Sequence, residues 1–102
     1  MKRFVIRYRA KPDRADENEQ AIRKVFEELG AKAPGGVHYL VVRLEDDTFL
    51  HLVIQDDENL RNPIPDLEAF RVFQTGVRER WVEPAQSSAA RIVGNYRVIG
   101  EP

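Results

Sequence analysis

Both histidines of the chain lie in one alternating stretch, GGVHYLVVRLEDDTFLHLVIQ, at positions 35–55. Because imidazole titrates near neutral pH, His38 and His51 are the first candidates for a general base or for a hydrogen bond to a ligand. His51 lies between Leu50 and Leu52 and is the stronger candidate. The simpler alternative is a structural histidine at a subunit interface.

Arginines are the second group of residues that could do chemistry. Arg7 and Arg9 alternate with apolar residues near the start of the chain, as Asn95 and Arg97 do near its end. An inward guanidinium could bind an anionic or enolate-like substrate. The alternative is an ion pair with a partner's carboxylate at an interface rim. We take His51, His38 and Arg7 as the candidate catalytic residues.

Aromatic and apolar residues supply candidates for a small-molecule pocket. The stripe of Phe70, Phe73 and Trp81 is typical of core packing between a helix and a sheet. The sequence contains no serine elbow or metalloprotease helix, and APGGV follows a predicted helix, whereas a phosphate loop follows a strand. The candidate pocket residues are Phe49, Val53, Trp81, Asn95 and Tyr96.

Composition limits the classes of protein that this chain can represent. A length of 102 residues predicts a single domain spanning 1–102, and a net charge of −1 without a long basic run argues against nucleic acid as a partner. Cysteine is absent, which excludes disulfides, thiolate ligands and cysteine nucleophiles. With no predicted signal peptide or membrane span, we expect a cytoplasmic protein without a membrane partner.

The first half of the chain predicts a strand, a helix and a hairpin. Residues 3–9 alternate as a half-buried strand does, and Pro12 and Asp13 offer a helix cap. A helical stripe then ends at Gly30, and a hairpin follows with its turn at Asp46 and Asp47. The stripe consists of Ile22, Val25, Phe26 and Leu29.

The second half predicts a loop, a helix and a strand. Two prolines in DDENLRNPIPD exclude a central strand, and Asp66 is a suitable cap for a helix over 67–81, which ends before Pro84. The linker PAQSSAA then leads to a last alternating strand over 91–99. The order βαββαβ predicts an α+β, ferredoxin-like domain: a four-stranded antiparallel sheet with both helices on one face.

A two-residue turn predicts which hairpin residues share the uncovered sheet face. Such a turn pairs Val42 with His51 and His38 with Gln55, which places both histidines on that face. The same face would expose Leu40, Val42, Leu44, Phe49 and Val53. A patch of this kind predicts a homodimer that buries Leu40, Val42, Phe49 and Val53 sheet against sheet. In this register the two histidines lie roughly 13 Å apart, too far to share one zinc ion, and we expect no metal.

Length, element order and the apolar second sheet face, together with RYRAKPD between the first strand and helix, resemble the dimeric α/β-barrel superfamily. Within it, the antibiotic-biosynthesis-monooxygenase-like proteins are the most similar. The resemblance implies a face-to-face dimer and a small-molecule pocket between sheet and helices. It also implies cofactor-independent oxidation of phenolic or quinol-type substrates, or, as the alternative, a non-catalytic ligand-binding or stress-responsive barrel. Haem-degrading relatives carry a histidine ligand on the second helix, which residues 67–81 lack, so we expect no cofactor.

Overall fold

The structure, a computed structural model, describes residues 2–57, 59 and 61–98. Its strands are β1 (Lys2–Ala10), β2 (Val37–Arg43), β3 (Thr48–Gln55) and β4 (Trp81–Ala89), and its helices are α1 (Ala15–Lys32) and α2 (Glu68–Gln74). Two short 3₁₀ turns, Ile64–Asp66 and Val77–Arg80, flank α2. In this described part of the chain, neither helix combines the length and apolar character that crossing a bilayer requires.

The four strands form one antiparallel sheet in the order β2-β3-β1-β4, as the ferredoxin-like prediction requires. Both helices pack on the same face of this sheet, since Tyr8 and Phe49 share one core cluster with Ile22 of α1 and Phe73 of α2. We call this the covered sheet face. The predicted fold class is therefore confirmed.

The hairpin register differs by one residue from the predicted register. Val41, not Val42, lies opposite His51, because the loop contains three residues instead of two. The amide of Leu44 donates to the Thr48 carbonyl at 2.8 Å, and Asp47 closes the loop with a left-handed φ of 67°. Aspartate tolerates this conformation better than most residues, which permits the three-residue connection.

A one-residue slip moves side chains to the opposite sheet face. His51, Phe49 and Val53 therefore lie on the covered sheet face, buried, and the prediction that they lie on the uncovered side is wrong. On that uncovered side, β2 and β3 present His38, Leu40, Val42, Leu50 and Leu52, which we call the open sheet face.

The second helix is shorter than predicted. It ends at Gln74, Gly76 adopts a left-handed φ of 74°, and Trp81 begins β4 instead of ending a helix. The apolar residues keep their helical spacing as far as Trp81 for two reasons. Val77 belongs to a 3₁₀ turn, whose period of three residues is close to that of an α-helix, and Trp81 contacts the same core from the first position of β4.

The last strand lies ten residues earlier than predicted. The polar segment WVEPAQSSA forms β4 at the sheet edge, whereas residues 91–98 form no strand and Ile99 lies outside the described residues. β4 has a bulge between Glu83 and Gln86, where its pairing with β1 shifts register. Pro84 lies in this bulge, where no backbone N–H is needed for the hydrogen bonds between the two strands.

Helix ends also differ from their predicted signals. The residue capping α1 is Arg14 instead of Asp13, and α1 continues through Gly30 to Lys32, after which Ala33 is left-handed. Leu67, not Asp66, precedes the first residue of α2. Neither N-cap residue bonds its own helix through its side chain. The first amides of α2, those of Glu68 and Ala69, donate instead to the Glu28 carboxylate of α1 at 3.2 and 2.8 Å, so α2 is capped from α1.

Candidate functional site

A cavity of about 360 Å³ lies between the covered sheet face and the segment that contains α2. Its walls are mostly apolar, and its volume is that of a small organic molecule. Three polar aromatic side chains, Tyr8, Tyr39 and His51, contribute to its lining. The remaining wall includes Phe4, Ile6, Val53, Phe70, Phe73, Val77 and Trp81.

A continuous chain of hydrogen bonds reaches this cavity from the protein interior. Arg80 Nε donates to Asn18 Oδ1 at 3.0 Å, and Asn18 Nδ2 donates to the Tyr8 hydroxyl at 2.8 Å. The Tyr8 hydroxyl lies 2.9 Å from His51 Nε2, and His51 Nδ1 lies 2.6 Å from the Tyr39 hydroxyl. We call these five side chains the Arg80–Tyr39 relay.

Five separate elements position the relay. Tyr8, His51 and Tyr39 come from the adjacent strands β1, β3 and β2, where alternation places all three on the covered sheet face. Asn18 lies on the inward side of α1 and is 0% exposed. The 3₁₀ turn before β4 brings Arg80 beneath Asn18, and Tyr39 is held from the other side by stacking on Phe26 at 4.9 Å.

Burial keeps the titratable members of the relay near His51 uncharged. Removal from water lowers the pKa of His51 to about 4, because the imidazolium loses its hydration. Burial likewise raises the pKa of Tyr8 to about 12 and raises the pKa of Tyr39 well above its usual range. At neutral pH, both tyrosines are therefore phenols and His51 is a neutral imidazole.

Arg80 supplies positive charge at the inner end of the relay. It is 5% exposed, donates to the backbone carbonyls of Phe73 (2.7 Å) and Thr75 (3.4 Å), and stacks on the Phe73 ring at 5.3 Å. Among the described residues, no carboxylate lies within ion-pair distance of this guanidinium. A buried cation with neutral partners polarises the donors that follow it.

The three candidate catalytic residues separate in the structure. His51 is 3% exposed and belongs to the relay. His38 lies on the open sheet face, about half exposed, with Nε2 3.0 Å from Asp56. Arg7 forms a 3.3 Å ion pair with Glu83 on the same side of the sheet, and Arg9 contacts the same carboxylate. The structure thus brings neither His38 nor Arg7 to the cavity.

The candidate pocket residues also divide. Val53 and Trp81 line the cavity. Phe49 lies behind it, stacked on Tyr8 at 5.5 Å. Asn95 and Tyr96 do not line the cavity, because the strand predicted for this segment does not form over residues 91–98. Tyr96 is 81% exposed and stacks against Arg97, and Asn95 accepts from the Val98 amide. Their placement in the pocket is corrected accordingly.

Tyr8, Tyr39, Asn18 and Arg80 are site residues that the sequence analysis did not select. A signal for Asn18 exists, since it is the polar residue on the stripe that continues through Ile22 and Val25. Tyr39 alternates with Val37 and Val41 on the covered sheet face. For Arg80 the sequence carries no signal, because it lies among other charged residues in VRER.

Residues 2–57, 59 and 61–98 contain no group of three or more His, Asp or Glu side chains that could hold a metal ion. The side chains of the site offer hydrogen-bond donation from phenols, supported by a buried guanidinium.

Solved structures with the same architecture come from several bacteria. A proposed antibiotic biosynthesis monooxygenase from Bacteroides thetaiotaomicron superposes with a TM-score of 0.77 at 15% identity, over 97% of this chain and 95% of its own. Another from Nitrosomonas europaea gives 0.74 at 14% identity, over 92% and 100%. The chain has the ferredoxin-like fold of these proteins.

Proteins of this fold are not all described by the same activity. A conserved protein from Methanosarcina mazei has a TM-score of 0.71 at 17% identity, over 88% of this chain and 90% of its own. No family model matches the chain, and no curated protein matches it either. Because a common fold hosts many activities, the function has to be argued from the site.

Proposed function

We propose that the chain is a cofactor-independent oxygenase-like enzyme that binds a small apolar molecule with an enol or phenol oxygen in the cavity beside Tyr39. The observation that carries this proposal is the Arg80–Tyr39 relay, which ends at an apolar cavity. The proteins of the same fold described as antibiotic biosynthesis monooxygenases support the same reaction class.

In the proposed mechanism, the substrate oxygen accepts a hydrogen bond from Tyr39 as the substrate loses a proton to water at the cavity mouth. This hydrogen bond stabilises the enolate or phenolate, whose electron-rich carbon reacts with dioxygen and forms a C–O bond. Loss of water from the resulting peroxide leaves a new carbonyl. With an anthrone as the example, one anthrone and one dioxygen give one anthraquinone and one water. The substrate supplies all the electrons.

His51 has a different role here from the general base that the sequence analysis predicted. With a pKa of about 4 and both ring nitrogens beside tyrosine hydroxyls, it is a weak base without a free lone pair for the substrate. It acts through Tyr39, as a positioning residue. The site stabilises an anion instead of supplying a strong base.

Oxygen consumption tests the proposed function. We expect at least one compound in a panel of hydroquinones, anthrones and small enols to consume dioxygen and form product in equal amounts. Tyr96→Phe, which removes an exposed hydroxyl outside the cavity lining, should retain wild-type turnover. Panel members that raise the melting temperature but never consume oxygen would instead identify a binding protein.

The second part of the proposal concerns assembly: a homodimer formed through the open sheet face. Leu40 and Val42 are 49% and 41% exposed there, next to Leu50 and Leu52 on β3. A contiguous apolar surface of this kind is typical of an interface. Phe49 and Val53, which the sequence analysis assigned to this interface, lie under the helices and cannot contribute.

A lysine at Val42 should dissociate the proposed dimer, because it places an unpaired ammonium group in an apolar interface. Sedimentation at micromolar concentration measures the result, with Val72→Lys as the matched control. Val72 is 61% exposed on α2, on the other side of the sheet, and its substitution should leave the dimer intact. A monomeric wild-type chain would contradict the proposal.

A further inference from the structure

Arg80, at the inner end of the Arg80–Tyr39 relay, determines the direction of each hydrogen bond in it. A guanidinium can only donate, so the Asn18 atom facing Arg80 Nε at 3.0 Å is the carbonyl oxygen. The amide nitrogen of Asn18 must then face Tyr8, and it donates to the Tyr8 hydroxyl at 2.8 Å. Arg80 therefore fixes the orientation of the Asn18 amide.

Tyr8 has one proton and two polar neighbours. Since its oxygen already accepts from Asn18, its proton goes to His51 Nε2 at 2.9 Å. In the opposite arrangement His51 would donate to Tyr8, and the Tyr8 proton would have no acceptor among the described residues, on a side chain that is 3% exposed. A buried donor without a partner costs about 1–3 kcal/mol, which disfavours that arrangement.

A neutral imidazole that accepts at Nε2 carries its proton on Nδ1. His51 Nδ1 then donates to the Tyr39 oxygen at 2.6 Å, and the proton of the Tyr39 hydroxyl is not used within the relay. Tyr39 lines the cavity. Trp81 lines it too, and its indole N–H is buried without an acceptor among the described residues.

We propose that Arg80 and Asn18 set the His51 tautomer and make Tyr39 an obligate hydrogen-bond donor, so that the cavity selects ligands that present an acceptor oxygen, above all a phenolate or enolate. This inference deepens the proposed function by naming how the substrate is chosen. Arg80, Asn18, Tyr8 and His51 are positioning residues, and Tyr39 is the residue that donates a hydrogen bond to the ligand. Hydrogen bonds to an anionic oxygen are roughly twice as strong as those to a neutral one.

Asn18→Asp reverses the relay with a change of one atom. The new carboxylate pairs with Arg80 and can only accept, so Tyr8 must donate to it. His51 then donates from Nε2 to Tyr8 and accepts from Tyr39 at Nδ1. The Tyr39 proton is used internally, and the Tyr39 oxygen becomes an acceptor for the ligand. Asn95→Asp is the control, because it makes the same change outside the cavity lining.

Long-range ¹H–¹⁵N correlation spectra of histidine-labelled protein at pH 7 report the His51 tautomer directly. We expect a proton on Nδ1 in the wild type and in Asn95→Asp, and a proton on Nε2 in Asn18→Asp. A wild-type His51 protonated on Nε2 overturns the inference, and so does an unchanged tautomer in folded Asn18→Asp. If that variant does not fold, the wild-type spectrum alone decides.

A coloured phenol tests whether the cavity binds the phenolate in preference to the neutral phenol. 4-Nitrophenol changes its absorbance on ionisation, so its spectrum shows which form is bound. We expect the ratio of bound phenolate to bound phenol to fall about tenfold or more from wild type to Asn18→Asp. An equal ratio in the two proteins contradicts the inference. Failure of the oxygen-consumption test with the expected tautomers would refute the oxygenase proposal and leave this inference standing.

Discussion

Replacing Tyr39 by phenylalanine is expected to lower kcat/KM for oxygen-consuming turnover by about 100-fold, because the substrate anion loses its principal hydrogen-bond donor. Removing one preorganised donor to a developing oxyanion has effects of this size in other enzymes. The ring of residue 39 keeps its stacking on Phe26, so the change removes only the hydroxyl and its hydrogen bond with His51. Steady-state oxygen consumption measures the effect.

Tyr96→Phe is the matched control for this experiment, since it deletes the same hydroxyl from an exposed tyrosine. A Tyr39→Phe enzyme that keeps kcat/KM within about twofold of wild type would remove Tyr39 from transition-state stabilisation. The N–H of Trp81, which lines the same cavity and has no acceptor in the part of the chain that the structure describes, would then be the donor to examine.

The second large effect is a loss of stability in mild acid that originates at His51. Burial lowers the pKa of His51 from 6.5 to about 4. Between these values the unfolded chain binds a proton that the folded chain does not, so the free energy of unfolding falls as pH falls. The contribution of His51 is fully present above pH 6.5, and about 2 kcal/mol of it is lost between pH 7 and pH 5.

Urea unfolding at pH 7 and pH 5 measures this loss. The free energy of unfolding of His51→Gln should change less between the two pH values than that of the wild type, by about 2 kcal/mol. His38→Gln is the matched control, since His38 is half exposed beside Asp56. Equal pH dependence in wild type and His51→Gln would show that His51 titrates alike in the folded and unfolded chain.

Alternation and helical spacing were enough to predict the ferredoxin-like fold. Tyr8 and its neighbours alternate because one face of β1 is buried, and the stripe from Ile22 to Leu29 follows the helical period for the same reason. These periods come from local geometry, so they can be read without knowledge of the partner surface. Element order then restricted the sheet to one architecture.

The position of β4 could not be predicted by the same rules. Its residues, WVEPAQSSA, are polar and include Pro84, whereas residues 91–98 alternate as a strand should. Edge-strand pairing is satisfied by backbone groups, and the bulge opposite Arg7 and Arg9 accommodates the proline. Tertiary pairing with β1 thus outweighed the local pattern.

What the sequence by itself determined was the set of elements and their order. Which face His51 occupies depended on a single residue in the hairpin loop, where the left-handed Asp47 made the connection three residues long. The Arg80–Tyr39 relay was decided only by the tertiary structure. Its five members are up to 72 positions apart in the chain, between Tyr8 and Arg80, and no periodic pattern relates side chains that meet only when α1 and the turn before β4 pack on the sheet.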